Sequence, residues 1–167
     1  MATNTNNPKI QAIRQSVTSS YNELNQLIEE RLMTLDESKL YEPLVEGEWT
    51  LMESLVHIVE FMPFWADEAA KLVANPGQNF GRTHKDEARI RAISEHKEDS
   101  LNETRGALTR SYMYLDTVLS TLQDSDLDLK GRHSKFGEQT LDWFIQEFIT
   151  NHFTNHIQQI NLSLDTL

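Results

Sequence analysis

A chain of 167 residues is long enough for one domain with a real core and too short for two ordinary ones. Its 26 Asp and Glu outnumber 15 Lys and Arg, and the formal charge of −11 is scattered along the sequence, which argues against nucleic-acid and anionic-membrane partners. The absence of cysteine excludes disulfides, thiolate metal sites, iron–sulfur clusters and a protein-borne thiol nucleophile, so histidine and carboxylate chemistry remain.

The start, MATNTNN, lacks the basic residues and apolar run of a secretory signal. No stretch approaches the ~18 uninterrupted apolar residues of a membrane span. These features predict a soluble, cytoplasmic protein with residues 1–167 in a single domain.

Pro8 reads as a first-turn proline. Ile10, Ile13, Val17, Tyr21, Leu24, Leu27, Ile28, Leu32 and Leu35 then keep helical spacing and predict a helix over 8–35. Pro43 and Gly47 mark a loop with room for a short turn around Leu40. Thr50-Leu51-Met52-Glu53 is a capping box that starts a second helix. The main stripe of that helix is Leu51, Leu55, Ile58, Met62, Trp65, Ala69 and Leu72, with His57, Phe61 and Phe64 forming a second row. Pro63 predicts a kink within it, and Asn75-Pro76-Gly77 its end.

Residues 76–84, PGQNFGRTH, read as a glycine-containing loop without a phosphate-cradling motif. A third helix is expected from Lys85 to Leu122, carried by Ile90, Ile93, Leu101, Leu108, Tyr112, Leu115, Val118, Leu119 and Leu122. Its charged first half reads as a solvated face, and no chemistry is assigned to it. Residues 123–139 suit a loop or a small hairpin. Thr140 is the N-cap expected for a last helix reaching Leu164, in which Leu141, Phe144, Ile145, Phe148, Ile149, Phe153, Ile157 and Ile160 recur at helical spacing. The fold class is all-α, a four-helix bundle with one long connection.

His152 and His156 continue the row from Phe144 through Phe148, where the pattern calls for Leu or Ile. Four residues advance a helix by about 400° and about 6 Å, so both imidazoles leave one surface side by side and suit one metal ion. A histidine on an apolar face is more often a hydrogen-bonded core residue, and a site needs a third ligand. His57 is the candidate, if the second and fourth helices are neighbours.

These residues resemble the DinB/YfiT-like superfamily of metal-binding four-helix bundles. The resemblance lies in Glu48-Trp49-Thr50 leading into a helix with Glu53 and His57, and in the run from Asn151 to Ile160 that holds His152 and His156. It implies that His57, His152 and His156 hold a divalent metal, zinc or nickel foremost. It also implies a homodimer, and transferase or isomerase chemistry that uses a low-molecular-weight thiol such as bacillithiol or mycothiol.

His84 and His133 fall in expected loops and His96 in the charged stretch, so all three read as surface residues. Glu60 reads as an orienting partner of His57 or, the commoner case, as a solvated carboxylate. Paired Glu-x-x-His motifs are absent, as are H-E-x-x-H, G-x-S-x-G and a Walker A loop, which removes di-iron, zincin, α/β-hydrolase and P-loop readings.

Two function classes survive. One is a metal-dependent enzyme that activates water or a small thiol against a small-molecule substrate, of transferase, isomerase or hydrolase type. The other is a stress-response or binding module with a structural or vestigial metal. A roomy polar pocket beside the histidines would separate them.

Overall fold

Apolar residues at helical spacing account for most of the architecture. The computed structural model describes residues 6–167, and the reading of the polar start falls mostly outside them. Helix α1 (Pro8–Leu27) opens with Pro8 in its first turn and runs into a π-helical turn, Ile28–Leu32. A four-residue helix α2 (Ser38–Tyr41) interrupts the next connection and buries Leu40. Helix α3 (Leu51–Ala74) starts at the expected capping box: Thr50 Oγ1 accepts from the Glu53 N–H at 3.0 Å, and the Thr50 N–H donates back to Glu53 Oε2 at 2.8 Å. It continues unbroken through Pro63 and ends at Asn75.

The expected third helix is two. Helix α4 (Glu87–His96) is capped by Asp86, and helix α5 (Leu101–Thr121) by a second capping box, Ser100 with Glu103. A Ser side chain that bonds a backbone N–H three residues ahead competes with an uninterrupted helix, and here it starts a new one. Ile90, expected in the core stripe, is 52% exposed as a result, whereas Ile93, Leu108, Leu115 and Leu119 are buried.

Between Leu122 and Thr140 lie a 3₁₀ turn, Asp124–Asp128, and an antiparallel hairpin of β1 (Lys130–His133) and β2 (Gly137–Thr140). The hairpin alternative is therefore the correct one. It holds the 76–84 loop through Gly77 N–H to Lys130 O at 2.7 Å and Phe80 N–H to Arg132 O at 2.7 Å.

The last helical rod consists of α6 (Leu141–Ile145), a π-helical turn (Gln146–Thr150) and α7 (Asn151–Leu164). Leu141, Ile145, Ile149, Phe153 and Ile157 are all buried at strict four-residue spacing. In a pure α-helix such a row drifts about 40° per step. The wider π turn takes up an extra residue and rotates the row back onto the core. Helix α3 packs against α4, α5 and α7, and α1 against α5 and α7, a four-helix bundle in which the helices bearing His57 and the His152/His156 pair are neighbours.

Candidate metal centre

Helix α3 presents His57 from its second apolar row, and α7 presents His152 and His156 from adjacent turns just beyond the π segment. The structure brings the three together. His57 Nε2 lies 3.0 Å from His152 Nε2, and His156 Nε2 lies 3.2 Å from the same atom. The rings meet nearly edge to face, at 79° for His57 with His156 and 88° for the other two pairs. Phe61 closes over the group, its ring 4.8 Å from that of His152.

Glu60 fixes the tautomer of His57. Its Oε1 accepts from His57 Nδ1–H at 2.8 Å, which leaves the Nε2 lone pair facing the other two imidazoles. The carboxylate is not solvated, the commoner expectation for it: its side chain is 10% exposed, and Arg82 Nη2 donates to both oxygens at 2.6 and 2.8 Å. Arg82 is itself 9% exposed and lies over the Phe64 ring at 3.8 Å.

The loop that delivers Arg82 is anchored on both sides. Phe80 stacks on Phe144 at 4.2 Å, and Gly81 adopts φ +85° while its N–H donates to Glu68 Oε2 at 2.7 Å. A Cβ at Gly81 would stand 2.8 Å from the His133 ring, so both the positive φ and the close approach require glycine.

Three imidazole nitrogens brought this close together suit a cation better than one another. At most one proton can serve each Nε2–Nε2 contact, and His156 Nδ1 is buried without a hydrogen bond, Gln159 favouring its charged form from outside bonding geometry. Tetrahedral ligands about 2.0–2.1 Å from zinc stand roughly 3.3 Å apart, close to the spacings found here. All three donor atoms lie within 4.8 Å of one another.

Burial drives the electrostatics. It pushes His152 down to about 3, helped by the neighbouring His156 and His57, and His156 down to about 4. It lowers His57 as well, against the opposing pull of Glu60. All three are neutral at pH 7, the form that binds metal.

A cavity of about 190 Å³ opens beside His57 and His152, lined also by Trp65, Arg82, Arg89 and Phe148. A larger cleft of about 700 Å³ lies elsewhere, between α1 and α5, and holds no cluster of metal-ligating side chains among the described residues; its Arg14 and Asp116 are already paired at 2.8 Å. The chemistry belongs with the smaller space.

His84 and His96 are exposed as expected, but His133 is 5% exposed. Its Nδ1 accepts from Lys135 N–H at 3.0 Å, and its ring packs 5.1 Å from both Phe136 and Phe148, because the hairpin turns that strand position onto the core. It stands outside the three-histidine group. Sequence reading missed Arg82 and Arg89 altogether. Gly81 was the one trace of the first, and the second was hidden in a charge run read as a solvated face.

The family model for the DinB superfamily matches residues 20–160. No curated protein matches the chain. Among solved structures, YfiT from Bacillus subtilis, described as a probable metal-dependent hydrolase with an unusual four-helix bundle topology, is similar with a TM-score of 0.73 at 15% identity, over 99% of this chain and 93% of that one. TT2238, described as a four-helix bundle protein, is similar with a TM-score of 0.64 at 19% identity, over 92% and 98% of the two chains.

Proposed function

This chain belongs to the DinB superfamily, and on that premise we propose that it is a divalent-metal-dependent enzyme in which His57, His152 and His156 are the ligands. The observation that carries the reading is the convergence of three neutral imidazoles, Nε2 toward Nε2, beside a cavity of about 190 Å³. A structural metal has no need of such a space, which favours turnover over a vestigial centre.

A divalent ion held there would supply Lewis-acid chemistry, making water or a low-molecular-weight thiol nucleophilic at neutral pH. The protein's part is to hold the donors ready. Glu60 keeps the His57 proton on Nδ1, Arg82 keeps Glu60 in place, and Phe61 shields the imidazoles from water. The description of YfiT as a probable metal-dependent hydrolase agrees with water as the nucleophile. A thiol cofactor and a homodimeric assembly belong to the same reading.

Elemental analysis of protein purified without a histidine tag tests the centre. About one zinc or nickel per chain is expected, and none in a His57→Ala, His152→Ala or His156→Ala variant. A metal-free native protein that takes up none on addition would refute the reading. Light scattering tests the dimer.

A further inference from the structure

We propose that the cavity beside the histidines takes a small carboxylic acid as substrate and that Arg89 seats its carboxylate. The proposal rests on the metal-centre reading for the fate of that substrate, but not for its charge.

Arg89 comes from α4 and is partly buried. Its Nη1 donates to the His84 carbonyl at 3.0 Å, and its guanidinium lies over the Trp49 ring at 5.2 Å. Among the described residues it makes no ion pair, because the acids around it are committed elsewhere. Asp86 Oδ1 caps α4 by accepting from the Arg89 backbone N–H at 2.9 Å and also faces Arg82 at 3.6 Å. Glu60 is shared between His57 and Arg82. Arg89 is therefore a partly buried cation with no carboxylate in ion-pair contact, the charges of Glu60 and Asp86 reaching it only from a distance, and burial is the main cause pulling its pKa below the ordinary arginine value.

Its neighbours sharpen the point. The three imidazoles are neutral, Arg82 is matched by the Glu60 carboxylate, and Glu147, which is exposed, is the one acidic side chain among the described residues lining the cavity. Arg89 is thus the guanidinium of the recess that has no ion-pair partner among the described residues. The planar fork of a guanidinium matches a carboxylate in two parallel hydrogen bonds, and the indole beneath it restricts its plane. At about 190 Å³ the space falls below the ~300–1,000 Å³ of drug-sized ligand sites, which points to an acid of a few carbons.

Succinate, methyl phosphate and the uncharged succinamide are the probes. Chemical-shift titrations of ¹⁵N-labelled protein, in zinc-loaded and zinc-free forms, follow the Trp49 indole and Arg89 side-chain signals. Succinate should bind both forms at least tenfold more tightly than succinamide and more tightly than methyl phosphate. Arg89→Gln should lose at least tenfold in succinate affinity at unchanged zinc content and circular dichroism. Arg89→Lys should recover part of the loss, and Arg91→Gln, on the exposed face of α4, should behave as the native protein. Equal binding of succinate and succinamide, or native affinity in Arg89→Gln, overturns the proposal; tighter methyl phosphate binding overturns the assignment to a carboxylate. If zinc never binds but the Arg89-dependent preference is present, the metal reading fails and this one stands. Zinc binding without a preference for charge gives the converse.

Discussion

Removing the Glu60 carboxylate should damage the histidine centre without touching any imidazole. In Glu60→Ala, His57 Nδ1–H loses its acceptor at 2.8 Å, so the ring is free to turn and to change tautomer. Loss of such an orienting partner typically weakens metal binding by about 10–100-fold, or roughly 1.4–2.8 kcal/mol. A separate cost falls on the fold. Among the described residues, Arg82, 9% exposed, then keeps Asp86 at 3.6 Å as its one acidic partner. Breaking a buried pair outright costs about 3–5 kcal/mol, and the remaining partner moderates this to about half. At about 2–4 °C per kcal/mol for a chain of this size, thermal unfolding should fall by roughly 3–10 °C. Glu60→Gln separates the two effects, because its amide oxygen can still accept from His57 while the charge facing Arg82 is gone. It should recover most of the zinc affinity and little of the stability. Competition against a chromophoric chelator measures the first quantity, and circular dichroism melts of zinc-free protein the second. If Glu60→Ala binds zinc as tightly as the native protein, the carboxylate does not orient His57.

Three other expectations follow from the same geometry. His84→Ala and His96→Ala should keep full metal content by elemental analysis. His133→Ala should also keep it but lose about 2–4 kcal/mol of stability in urea unfolding, because its ring is 5% exposed and holds the Lys135 N–H. For pH, the folded pKa values of about 3 for His152 and about 4 for His156 lie below the unfolded value of about 6.5, so the folded state binds fewer protons. Stability of the zinc-free protein is then fully present above pH 6.5 and falls with acid by about 1.4 kcal/mol per unit for each histidine, until the pH reaches the folded values. Urea midpoints between pH 7 and 4 check this, and a flat profile would refute it. Gly81→Ala should both destabilise the fold and weaken zinc binding, because a Cβ 2.8 Å from His133 must displace the loop that carries Arg82. A native melt and native zinc affinity in that variant would show that the loop yields freely.

The bundle was legible because burial and helical spacing coincide. Every residue of the main α3 stripe, from Leu51 to Leu72, is 5% exposed or less. The errors came where local hydrogen bonding competes with a continuing pattern. Ser100 and Glu103 form the same box as Thr50 and Glu53, yet charged residues on both sides hid it. The π turn at Gln146–Thr150 left a trace in the strict four-residue spacing of Leu141, Ile145, Ile149, Phe153 and Ile157. Such a row is incompatible with a straight α-helix, and the drift of about 40° per step was the sign that an extra residue had to be absorbed.

For the candidate site the division is sharper. His152 and His156 could be grouped from spacing alone, since one helix fixes their relation. His57 required only that two helices be neighbours. The environment that tunes them could not be read this way, because it comes from segments whose placement depends on the whole fold. Arg82 reaches Glu60 only because Phe80 is stacked on Phe144 and the hairpin holds residues 77 and 80 by their backbones. Nothing in the local pattern of PGQNFGRTH announces that. The same dependence made His133 look like a surface residue and Glu60 like a solvated one. A titratable side chain in a loop takes its character from what the rest of the chain folds against it. The charge balance of the cavity, with Arg82 matched by Glu60 and Arg89 left without an ion pair among the described residues, is therefore a property of the assembled molecule and not of any segment.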